Sequence, residues 1–132
     1  MDAFNRQVIT EPFNRTVLAE IARDIDPDSP DVQGKTLIFA VNDDHADLIV
    51  KILKEIYTEK GVDNDAIMKI TGYVGGGNKK KVKDAIKHFK NERFPSIVVT
   101  VDLLTTGIDV PAITTLVFMR RVSYLTTVSP LL

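Results

Sequence analysis

The chain has 132 residues and 44% hydrophobic and 27% charged side chains, with 17 basic against 18 acidic residues and a formal net charge of −1. That length suits one domain with its own core. The near-neutral balance excludes a uniformly basic nucleic-acid binder, so any such contact has to come from a local patch or a shared cleft. There is no cysteine, which excludes a disulfide scaffold, a cysteine zinc site and a thiol nucleophile. No apolar run approaches the ~20 residues of a membrane span, and the start Met1-Asp2-Ala3-Phe4-Asn5-Arg6 has no signal-peptide pattern. A cytoplasmic chain without membrane contact is expected.

Phe13, Val17, Leu18, Ile21, Ala22 and Ile25 recur at helical spacing and predict an amphipathic helix over 13–25. Asp26-Pro27-Asp28-Ser29-Pro30 breaks it and reads as a surface loop. Thr36-Leu37-Ile38-Phe39-Ala40-Val41 is a continuous apolar run, the pattern of a strand buried on both faces. Asn42-Asp43-Asp44 supplies capping side chains for a helix with Ala46, Ile49, Ile52, Leu53, Ile56 and Tyr57 on its inner face, and Gly61 closes it. A second strand, Ala66–Ile70, runs into the glycine-rich turn Thr71–Gly77. Asn78 then caps a helix whose inner side chains are Val82, Ala85, Ile86 and Phe89. Ser96–Val101 is a third strand, Asp102–Pro111 a loop, and Ile113–Met119 a fourth strand. The remainder has weak helical periodicity and reads as an irregular tail over 123–132.

Apolar strands alternating with helices predict right-handed crossovers and an α/β fold: a mostly parallel sheet in three layers, with helices on both faces. The expected division is an N-terminal helix and linker (1–33), the α/β domain (34–122) and the tail, with too little chain after the last strand to cover it. The domain is therefore expected to be cut short at its C-terminus, leaving apolar surface bare. Ligands of such sheets gather at the carboxyl ends of the strands. Here those ends are Asn42–Asp44, Thr71–Gly77, Asp102–Pro111 and Arg120–Arg121.

Several patterns resemble sites more weakly. Gln33-Gly34-Lys35-Thr36 ends like a phosphate-binding loop, but it lies before a strand rather than between strand and helix, and Ser29 stands where the first glycine belongs. Asp43-Asp44-His45 has the look of an acidic magnesium box, yet the same residues serve as helix caps. His45 and His88 have no partners at metal-ligand spacing. Lys79, Lys80, Lys81, Lys83, Lys87, Lys90 and Arg93 form either a solvated face or a phosphate-contacting patch. Gly75-Gly76-Gly77 is either a flexible turn or a set of amides offered to a phosphate.

The segment Val98-Val99-Thr100-Val101-Asp102-Leu103-Leu104-Thr105-Thr106-Gly107-Ile108-Asp109-Val110-Pro111 is more specific. It resembles motif V of superfamily 2 helicases and translocases, and Thr36–Val41 with His45-Ala46 resembles motif IV. Residues 34–122 carry the resemblance in order. The wording of 102–111, the lead-in Glu11-Pro12-Phe13-Asn14-Arg15 and the His45-Ala46 pair are most similar to the motor (R) subunit of type I restriction enzymes.

The resemblance implies the second RecA-like motor domain of an ATP-dependent DNA translocase. It implies nucleic-acid contacts from Thr71, Gly72, Thr100 and Asp102, nucleotide contacts from Thr106 and Gly107, and a ribose contact from Asp109, with no catalytic residue in this chain. ATP and Mg²⁺ would be held chiefly by a first motor domain. Double-stranded DNA, that first domain, and methyltransferase and specificity subunits are the implied partners. The arginine-bearing motif VI is not found after Arg121, so the chain is expected not to hydrolyse ATP alone. The alternatives are the C-terminal domain of another superfamily 2 DNA or RNA helicase, a non-catalytic α/β nucleotide- or phosphate-binding module, and a gene remnant.

Overall fold

The computed structural model describes residues 10–71, 79–101, 112–119 and 123–126. Five strands form one sheet: β1 (Lys35–Phe39), β2 (Ile67–Lys69), β3 (Ile97–Thr100), β4 (Ile113–Phe118) and β5 (Ser123–Thr126). Their spatial order is β2-β3-β1-β4-β5. The first four are parallel, while β5 runs antiparallel to β4 with Leu116 opposite Leu125 and Phe118 opposite Ser123. The sequence pattern points to an irregular tail at β5; its strand is set by pairing with β4, which weak local periodicity does not encode.

The helices are α1 (Glu11–Ala22), the single-turn α2 (Pro30–Gln33), α3 (Asp43–Glu59) and α4 (Lys79–Asn91), with a 3₁₀ turn at Asn64–Ala66. α1 starts two residues earlier than the apolar spacing suggests, at an acidic first turn with proline at its start, and ends three residues earlier. Ile25 then leaves the helix, and its carbonyl accepts from the Tyr57 hydroxyl at 3.0 Å. Within the proline-rich loop, Pro30 pre-sets the backbone for α2.

Because side chains alternate along a strand, the sheet has two apolar faces. Ile38, Ala40, Ile67, Ile97, Val99 and Val117 pack against α3 and, through it, Leu18, Ile21 and Ala22 of α1. Leu37, Phe39, Ile70 and Val98 pack on the opposite face with Phe89 of α4. Phe39 and Phe118 stack on that second face with centroids 5.0 Å apart. This is the three-layer, mostly parallel α/β arrangement expected from the sequence.

The residues that resemble a phosphate loop turn out to be structural. Gly34 has φ +82°, and a Cβ there would lie 2.4 Å from Thr114 Cγ2, so glycine is required where the chain enters β1. Lys35 is buried; its ammonium donates to the carbonyls of Phe89 and Glu92 and lies 5.0 Å from the Phe89 ring centroid. It thereby caps the C-terminal end of α4, where carbonyls lack helical partners and a cation is favourable.

Candidate functional site at the carboxyl edge of the sheet

The four parallel strands point the same way, so the residues leaving them share one edge. Phe39 pairs with Thr100, and Lys69 with Val99. The amide of Ala40 donates to the Thr100 carbonyl at 2.7 Å, and that of Ile70 to the Val99 carbonyl at 3.0 Å. These bonds set the ends of β1, β2 and β3 side by side, with the first turn of α3 beside them.

That first turn is built by capping. The Asn42 side chain accepts from the His45 amide at 2.8 Å, and Asp43 and Asp44 place carboxylates at the positive end of the helix. Asp43 also reaches across to β2. Lys69 Nζ donates to it at 3.1 Å and to Asp47 at 2.7 Å. The hydrogen bond to Asp47 and then that to Asp43 hold the Lys69 ammonium above its ordinary pKa against the cost of its burial. Thr71, 3% exposed, donates its hydroxyl to the same Asp43 oxygen at 3.2 Å.

Thr100 is differently placed. It is fully buried, and its hydroxyl has no hydrogen-bond partner among the described residues. By strand alternation Thr100 follows Val98 onto the α4 face, whereas Thr71 and Lys69 lie on the α3 face, where Asp43 meets them. The structure thus brings the two threonines to neighbouring strand ends but directs their side chains to opposite faces. An unpaired buried hydroxyl costs ~1–3 kcal/mol, so Thr100 is an expensive choice for a strand that valine would suit.

A second polar device fixes α3. His45 is fully buried. Its Nδ1 accepts from the Val41 amide at 2.9 Å, which places the proton on Nε2, and Nε2 then donates to Asn14 Oδ1 at 2.8 Å. Asn14, also fully buried, passes the chain on by donating from Nδ2 to the Thr10 carbonyl at 2.7 Å. Burial drives the His45 pKa down to about 4, so the ring is neutral near pH 7. The relay ties the start of α1 to the end of β1 and the start of α3. It joins two segments quoted from the sequence, 11–15 and 45–46, that stand 30 residues apart.

Of the remaining sequence-expected site residues, Gly72, Asp102, Thr106, Gly107 and Asp109 lie outside the described residues, as do Gly75–Gly77 and Arg120–Arg121. The group that Asp43, Asp44 and Asp47 form is the one acidic cluster close enough for a cation among the described residues. It does not fit Mg²⁺ as it stands, because the Lys69 ammonium already occupies the space between Asp43 and Asp47 and pairs with both. The Asp43–Lys69–Asp47 triad and the Asn14–His45 bond are absent from a reading by motif. Their signals were a lysine inside an otherwise apolar strand and an asparagine in register with Leu18, Ile21 and Ala22 on the buried face of α1.

A mostly parallel sheet of this order, with helices on both faces, defines a three-layer α/β domain. The chain belongs to the helicase conserved C-terminal domain family, which matches residues 15–127. It is 44% identical over 121 residues to the type I restriction enzyme EcoKI endonuclease subunit of Escherichia coli; the match covers 90% of this chain and 10% of that protein. A solved fragment described as an HsdR subunit of a type I restriction enzyme from Vibrio vulnificus superposes with a TM-score of 0.64, covering 92% of this chain and 22% of that one. At 24% identity the second similarity shows the fold alone. The chain therefore spans about a tenth of the length of its curated relative, and it is a homologue of the helicase C-terminal part of an R subunit.

Proposed function

We propose that this chain serves as the second motor domain of an ATP-dependent DNA translocase in a type I restriction-modification system. The observation that carries the reading is the 44% identity over 121 residues to an endonuclease subunit of such a system. In this role Thr100, Thr71, Gly72 and Asp102 contact the DNA backbone from the strand ends, and Thr106, Gly107 and Asp109 contact the nucleotide, Asp109 at the ribose. Such backbone contacts position DNA without reading its sequence. ATP and Mg²⁺ are held chiefly by a first motor domain, with double-stranded DNA and the methyltransferase and specificity subunits as further partners. Bound ATP supplies the phosphoryl chemistry there.

The chain's own residues contribute position. The His45 relay and the Asn42 cap hold the first turn of α3 against the ends of β1 and β2. Asp43 holds the Thr71 hydroxyl, and Lys69 keeps Asp43 oriented. Thr100 ends β3 at this edge, and its buried hydroxyl is a donor without a partner among the described residues.

Thr100→Val tests the reading with two measurements. If the hydroxyl serves a ligand, the variant gains stability, by about 1 kcal/mol in denaturant unfolding, while its affinity for a DNA duplex falls. A variant that gains stability and binds duplex unchanged overturns the role of Thr100. The purified chain should show no DNA-stimulated ATP turnover, and robust turnover by the chain alone overturns the division of labour between two motor domains.

A further inference from the structure

The outer face of α4 is unlike any other surface of the molecule. Residues 79–93 hold seven of the chain's seventeen basic side chains but only two of its eighteen acidic ones, Asp84 and Glu92. Lys83, Lys87 and Lys90 are exposed and follow one another at spacings of four and three, which places them in one stripe about 10 Å long. Lys80, Lys81 and Arg93, also exposed, extend the basic surface at either end. The inner residues Val82, Ala85, Ile86 and Phe89 are committed to the sheet.

A merely solvated helix face mixes its charges, and α1 and α3 do so. Arg15 on α1 pairs with Glu11 at 2.9 Å and with Glu55 of α3 at 2.7 Å, and acids occupy the first turns of both helices. α4 has no acid in its first turn, and none of the ion pairs among the described residues uses Lys83, Lys87 or Lys90. Like charges three and four apart cost an isolated helix about 0.2–0.5 kcal/mol per pair, and cations at its start oppose its dipole. Packing against the sheet offsets that cost, which a glutamate at any of these positions would remove.

We infer that the Lys83–Lys87–Lys90 stripe is a second docking surface for the phosphate backbone of a DNA duplex, separate from the strand-end site. The stripe has regularly repeated ammonium groups and no exposed apolar side chain between them. That suits an evenly spaced row of phosphates and lacks the apolar centre that a protein interface needs. The connectivity supports continuity with the edge. α4 begins after the carboxyl end of β2 and ends before the amino end of β3, so the stripe descends from that edge across the outer layer. The inference rests on the proposed motor reading for its choice of DNA.

The test is the salt dependence of binding of a fluorescent 20-base-pair duplex, followed by anisotropy. The triple variant Lys83→Gln, Lys87→Gln, Lys90→Gln should lower the slope of log affinity against log salt by about 2–3 and weaken binding at least about tenfold at 0.1 M salt. Its thermal unfolding should match or slightly exceed that of the parent. Removing three cations from α3 and its C-cap instead (Lys51→Gln, Lys54→Gln, Lys60→Gln) should leave the slope in place. Equal loss in both variants, or no change in the α4 variant, overturns the stripe. Displacement of the duplex by polyglutamate at equal charge concentration overturns it in favour of an acidic protein partner. An unchanged slope in the α4 variant with weakened binding by Thr100→Val overturns the stripe alone. The reverse pattern overturns the strand-end reading and leaves the stripe standing. No duplex binding by the parent chain at 0.05 M salt overturns both.

Discussion

The two helical layers are held to the same sheet by different means. On one face α3 is anchored through polar groups at its first turn: the Asn42 cap, the His45 relay to Asn14 and the Asp43 link to Lys69 and Thr71. On the other face α4 is held by its apolar stripe and by the Lys35 ammonium at its C-terminal carbonyls, at the end away from the candidate edge. Directional bonds fix α3 where precision is needed, beside the strand ends. Non-directional burial suffices for α4, whose Lys83, Lys87 and Lys90 enter none of the ion pairs among the described residues. The molecule thus concentrates its specified geometry at one edge and leaves the opposite layer free for long-range electrostatics.

The strongest way to break that contrast is at the relay. His45→Ala removes a buried ring and leaves the Val41 amide and the Asn14 carbonyl oxygen unpaired, so a loss of about 3–4 kcal/mol is expected in chemical unfolding. Asn14→Ala strands only the Nε2 proton and should cost about 1–3 kcal/mol. A loss below about 0.5 kcal/mol in either variant would show that the polar anchoring of α3 is dispensable.

Acid sharpens the same comparison. The unfolded histidine takes up its proton near pH 6.5, whereas folded His45 does so only near 4. In that window the unfolded state binds more protons, so the contribution of neutral His45 is complete above about pH 6.5 and is lost as the pH falls towards 4. The total reaches about 3 kcal/mol. The stability advantage of the parent over His45→Gln should therefore shrink across this range. A pH-independent advantage would place the proton elsewhere.

The smallest effects belong to the surface. Arg15→Ala breaks two exposed ion pairs, one within α1 to Glu11 and one across to Glu55 of α3, and should lower stability only slightly. Lys87→Gln on α4 should be neutral or slightly stabilising, since it removes like-charge repulsion with Lys83 and Lys90. Thermal unfolding in low salt separates the two signs.

The apolar runs at 36–41 and 96–101 announced the central strands, because a strand buried on both faces needs unbroken hydrophobicity. The spacing of Ala46, Ile49, Ile52 and Leu53 announced α3 in the same way, and Asn42 marked its start by capping chemistry. The family, too, was readable in the order of short motifs along residues 34–122. The strand at Ser123–Thr126 was not, since its partner lies in β4 and its own pattern is weak.

The side-chain roles at the edge were likewise beyond a linear reading. Thr71 and Thr100 look equivalent as polar residues at strand ends, yet pleating sends them to opposite faces, one onto Asp43 and the other into an apolar layer without a partner. Asn14 and His45 are 31 residues apart and acquire meaning only when α1 lies across α3. Periodicity and capping act between near neighbours, so the sequence alone determined the helices and the parallel strands, though not β5. Which polar groups meet depends on the packing of distant elements, and that only the tertiary structure decided.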